Sequence, residues 1–158
     1  MPPDVLDRFL RAARVRDIAA MHALVDWPLS AAPVLARALL EIDPTHRAAA
    51  ARDGVAAIHA SAAALQPAEA RALTELAELI DRSDATRADA AVTAAALAES
   101  VRVPDVDPGP GDEDRATLAA WRRRAAEVEQ VYCAETRLGP VLLALAPDGE
   151  RVVIVTKL

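Results

Sequence analysis

Three histidines, one cysteine, an acidic loop and a run of arginines are the residues of this chain whose types could do chemistry. His22, His46 and His59 would have to share a metal. A zinc site needs several N or S donors at short, defined spacings, and no HExxH pair occurs. His46 and His59 stand thirteen residues apart with no cysteine between them. His22 follows Met21 and His59 follows Ile58, so both read as flanks of buried helical stripes. Cys133 follows Tyr132 near the predicted end of a helix. There the helix dipole disfavours a thiolate, so the thiol is expected to be small, inert and partly buried.

The loop "DVDPGPGDED" has the acids of a calcium site but not the spacing. Counted from Asp105, an EF-hand would need glycine sixth and glutamate twelfth, and those positions hold Pro110 and Ala116. The loop is instead expected to supply acids to the N-terminus of the helix that follows. In "WRRR", Arg122, Arg123 and Arg124 fan round a helix rather than forming one patch, and Trp121 belongs to a buried stripe. No glycine-rich phosphate loop, dinucleotide fingerprint or nucleophile elbow occurs. No catalytic, cofactor-binding or metal-binding residue is therefore assigned.

The elements that would position these residues are mostly helical. Asp4 opens a helix with Val5, Leu6, Phe9, Leu10 and Ala13 on one face. Asp17 caps a second through Ile18, Met21, Leu24 and Val25, which "DWP" ends. Ser30 restarts a third carrying Val34, Leu35, Ala38, Leu39 and Ile42. Thr45 opens a fourth with Ala51, Val55, Ile58, Ala62 and Leu65, interrupted by Gly54. Pro67 sits in the first turn of a fifth, with Leu73, Leu76, Leu79 and Ile80 inward. Ser83 or Asp84 caps a sixth through Val92, Ala95 and about Glu99. After loop 104–112, a helix over 113–135 carries Leu118, Trp121, Ala125, Val128 and Tyr132. These starts show no constant step, which disfavours a regular helical repeat.

The chain finishes on "RLGPVLLALAPDGERVVIVTKL". Pro147, Asp148 and Gly149 make a strong hairpin turn. Val141, Leu143 and Leu145 face one way and Leu142 and Ala144 the other. On the return strand Val152 and Ile154 oppose Val153 and Val155. Neither face is polar, so both must be covered. The cover can be helices on both sides, a third strand at Ser100–Val103, or another chain. The outer edges carry only Lys157 as a guard against added strands.

The fold expected is mainly α, a single domain over 1–158. It is an irregular bundle of six to seven helices (helical body 4–103, loop 104–112, helix 113–135) with a C-terminal β-hairpin at 140–158. The hairpin stands alone or in a small two- or three-stranded sheet. At 158 residues there is enough chain for one core, although much of the 53% hydrophobic content is alanine and aromatics are 3%. "FLRAARVRDIAAMHALV" resembles the opening helices of the nuclear transport factor 2-like proteins. Those continue into a large curved sheet that the alanine-rich middle here does not offer, so no residue role is carried over.

A net charge of −6, from 18 basic and 24 acidic residues, argues against general nucleic-acid binding. No apolar run is long enough to span a bilayer, and a lone cysteine fits a reducing compartment. A cytoplasmic, bacterial protein is expected. The function expected is a non-enzymatic protein–protein interaction or regulatory accessory module. It would contact a protein partner or a second copy through Leu142, Leu143, Leu145, Val153, Ile154 and Val155. The alternatives are a small-molecule sensor or enzyme with a pocket near His22, His59 or Cys133, and a degenerate helical-repeat scaffold.

Overall fold

A computed structural model of the chain describes residues 4–80, 85–87, 100–136 and 138–155. Five helices come first: α1 (Asp4–Arg14), α2 (Ile18–Leu24), α3 (Trp27–Glu41), α4 (Pro44–Ala63) and α5 (Pro67–Ile80). Strand β1 (Ala85–Arg87) precedes α6 (Asp112–Ala126), and β2 (Val131–Thr136), β3 (Gly139–Leu145) and β4 (Val152–Ile154) complete the order. The fold is mainly α with a C-terminal sheet.

Local chemistry sets the helix starts. Asp17, Asp26 and Asp43 each cap a helix by accepting a backbone N–H, from Ala20, Leu29 and Thr45 respectively. The stripe expected on α1 is buried as a set, with Leu6, Phe9 and Ala13 inaccessible. On α3 the register differs from expectation. The helix begins at Trp27 rather than Ser30, because Asp26 caps it and Pro28 lies in the first turn, where its missing N–H costs nothing. Its buried face is therefore Leu29, Ala32, Pro33, Ala36 and Leu39, while Val34 is 54% exposed. Gly54 lies where Leu35 of α3 presses on α4; a methyl group there would collide with the Leu35 side chain.

The helix expected over 113–135 ends at Ala126, and this is the main correction to the expected elements. Glu127 closes it with bonds to the carbonyls of Ala125 and Arg124, and the chain then enters β2. Tyr132 fits a helical three-four spacing from Val128 and also fits a period of two. Pairing with β3, with Thr136 opposite Gly139 across the turn that includes Leu138, decides for the strand. Thr136 Oγ1 braces that turn, donating to Gly139 O and accepting from Leu138 N. The third strand is thus Val131–Thr136, not Ser100–Val103. Those residues lie outside the sheet, with Val101 and Val103 buried against it. The helix expected from Asp84 also yields at its start to β1, which pairs with β2. Its remainder, through Val92 to Glu99, lies outside the described residues.

All four strands are antiparallel in the order β1-β2-β3-β4. The predicted turn forms as expected. Gly149 takes φ +72°, its N–H bonds Ala146 O, and Asp148 accepts from Glu150 N.

Both faces of the sheet are covered from within the chain. Tyr132, Ala134, Val141, Leu143, Leu145 and Val152 pack against α1, α2 and α5. Val131, Leu142, Ala144, Val153 and Val155 pack against α3, α4, α6 and the segment holding Val101 and Val103. The face assignment made from alternation is the one observed. The two-sided apolar pattern is that of a central layer between two helical layers.

Candidate functional site

The outer edge of β4 is where the two helical layers meet, and three residues organise it. Asp26 is 1% exposed. Its N–H donates to Val152 O (2.8 Å), its Oδ1 accepts from Leu29 N (3.1 Å), and its Oδ2 accepts from Arg124 Nη2 (2.9 Å). Ser30 Oγ donates to Asp26 O (2.7 Å) and accepts from Ile154 N (3.0 Å). Two of the backbone groups that a hairpin edge would offer to an incoming strand, Val152 O and Ile154 N, are therefore bonded within the chain. Lys157, the guard expected from sequence, lies outside the described residues.

Beside this closed edge lies a cleft of about 230 Å³. Trp27 and Ala31 of α3, Ala72, Leu73 and Leu76 of α5, and Ile154 and Val155 form its walls, which are almost wholly apolar. It lies between α3 and α5, which belong to opposite layers, beside the short β4 strand. Among the described residues Ser30 is the one hydroxyl in the wall, and its bonds to Asp26 and Ile154 occupy it. Trp27 Nε1 is buried and makes no hydrogen bond among the described residues.

Behind Trp27 sits a polar cluster joining α2, α4 and α5. His22 Nε2 lies 2.7 Å from Ser61 O, so that nitrogen carries the proton and donates. The imidazole also packs on the Trp27 ring, with centroids 5.4 Å apart. Ser61 Oγ lies 2.7 Å from Glu69 Oε1 and 3.0 Å from Ala57 O. In a nucleophile–base pair the histidine would reach the serine hydroxyl. Here it holds the serine's main-chain carbonyl, and the hydroxyl hydrogen is turned to other acceptors. The cluster ties three helices together.

The other sequence candidates go to different places. His59 is exposed and packs on Trp121, at 5.5 Å between centroids. His46 Nδ1 lies 3.2 Å from Thr45 Oγ1 on the surface. Cys133 is half-buried in β2, opposite Leu142 and Thr86. Among the described residues no group of three or more His, Cys, Asp or Glu is placed to hold a metal ion.

The arginine run divides as expected: Arg122 reaches Asp105 (3.3 Å), Arg124 reaches Asp26, and Trp121 is 6% exposed. The acidic loop is stapled to α6. Asp107 accepts from Gly109 N and from Arg115, and the Gly109 bond, then the Arg115 charge, holds its carboxyl below the usual range. Asp43 is likewise lowered, by the backbone and hydroxyl hydrogen bonds from Thr45.

Of the six residues expected to meet a partner, Leu142, Leu143, Leu145, Val153 and Val155 are 7% exposed or less, buried against the chain's own helices. In the folded chain their side chains do not present a contact surface. Ile154 is half-buried, and it and Val155 reach the cleft. Sequence reasoning missed Trp27 and Leu76. The available signal was "DWP": one of only two tryptophans, set between a capping aspartate and a proline.

Among the described residues no helix is long and apolar enough to cross a membrane. No protein-family model, curated protein or solved structure matches the chain.

Proposed function

We propose that this chain is a non-enzymatic, regulatory binding module whose working surface is the cleft at the β4 edge. The observation that carries the reading is an apolar cleft of about 230 Å³ flanked by Trp27, Leu76 and Ile154. Water in such a place is readily displaced by apolar atoms, and burial of their surface supplies the affinity. The walls are preorganised, since the Asp26 and Ser30 bonds fix the start of α3 to β4. Two facts favour this site over the hairpin faces: the faces are occupied by α1 to α6, and the outer edge of β4 is bonded to the start of α3. His22 and Ser61 act behind the site as supports for Trp27 and α4.

The test is methyl NMR of the full chain during a screen of small neutral and charged fragments. Saturable shifts confined to Leu73, Leu76, Ile154 and Val155, lost in Leu76→Trp, are the expected result. Shifts spread over other surfaces, or none at the cleft, would overturn the proposal. If Leu76→Trp does not fold, Ala72→Trp serves as the blocked control, because Ala72 is an exposed residue of the wall.

A further inference from the structure

We infer that the occupant of the cleft is a small, neutral, apolar molecule, an aromatic or branched hydrocarbon group of about nine heavy atoms. The inference rests on the cleft being the working site and names what it takes. Size comes first. A cavity of about 150 Å³ holds benzene, so by proportion 230 Å³ holds about nine heavy atoms. That is smaller than the sites of about 300–1,000 Å³ that take larger ligands.

An extended peptide is disfavoured by the edge itself. Strand addition needs free backbone groups, and Val152 O and Ile154 N are held by Asp26 N and Ser30 Oγ.

Charge and polarity follow from the same atoms. Among the described residues no charged side chain contributes to the wall. The Ser30 hydroxyl is already both donor and acceptor. The Trp27 N–H is buried, so a molecule in the open cleft meets the ring rather than the donor. An ionised group seated there would lose its hydration with nothing in return.

Three ligands of matched size separate these terms: toluene, benzoate and benzylammonium, each titrated against the full chain while the Leu76, Ile154 and Val155 methyls are followed. Toluene is expected to bind at least tenfold more tightly than either ion, with the shifts abolished in Leu76→Trp or, should that variant not fold, in Ala72→Trp. Saturable binding of either ion at the cleft with equal or greater affinity would overturn the ligand class and leave the binding reading standing. If none of the three moves these methyls while larger or more polar fragments do, the size and polarity argument falls alone. If no fragment of any kind does, the cleft reading falls with it.

Discussion

The two faces of the sheet are packed by different means. On the α1, α2 and α5 side the layer is filled by long side chains: Leu6, Phe9, Leu10, Met21, Leu73 and Ile80, all essentially inaccessible. On the α3, α4 and α6 side Ala32, Ala36, Ala51 and Ala125, with Ala144 and Ala146 of the C-terminal hairpin, share the layer with Leu29, Leu39, Ile58, Leu118 and one large aromatic, Trp121. The first layer gains stability from area, since a buried Leu or Phe contributes roughly 1.5–3 kcal/mol. At its alanine positions the second leaves no room for a larger side chain, as Gly54 against Leu35 leaves none for a methyl group. A chain with few aromatics has placed its only phenylalanine on one side and Trp121 on the other.

This contrast can be broken at three levels. The largest effect belongs to the hairpin both layers share. Removing Arg137 to Leu158 takes buried residues from both clusters at once, and the truncated chain is expected to lose cooperative thermal unfolding altogether. A sharp calorimetric transition in the truncated protein would show that the helical layers close without the strands.

Next is Phe9→Ala, which empties the large-residue layer and is expected to cost about 4 kcal/mol. By urea denaturation the midpoint should fall with little change in slope. Ala36→Leu probes the other layer with the opposite change. It overfills a position with 0% exposure and is expected to cost about 2 kcal/mol. If Ala36→Leu proved neutral while Phe9→Ala did not, the α3 and α4 backbones would be free to separate and the contrast between the faces would fail.

Much of the architecture is legible in the residues, for reasons that are local. The α1 stripe, the Asp17 cap and the Pro147 to Gly149 turn depend on neighbours within a few positions, and each forms as the spacing predicts. The sidedness of β3 and β4 is legible too, because alternation is a property of any strand. What covers those faces is not, since it depends on helices far off in sequence. The end of α6 is hidden for a related reason: Tyr132 satisfies two periodicities, and only pairing with Leu143 chooses between them. The cleft was least legible. Trp27, Leu76 and Ile154 share no motif; Trp27 and Leu76 each look like an ordinary core residue, and of the three only Ile154 stands among the expected contacts. The doubly apolar hairpin does need cover on both faces. The chain itself supplies that cover.

The bond between Ser30 and Ile154 spans 124 residues. In a chain made from its N-terminus, the six described helices emerge before β4 exists. At about 5–20 residues per second, that interval lasts roughly 6–25 s for this pair. During it, both helical layers carry apolar faces meant for strands still unmade. Helix formation can run ahead, yet the central layer is inserted late, and long-range pairings of this kind slow folding. The order in which the layers are made places the aggregation hazard in the nascent protein, and its remedy in the last strand to appear.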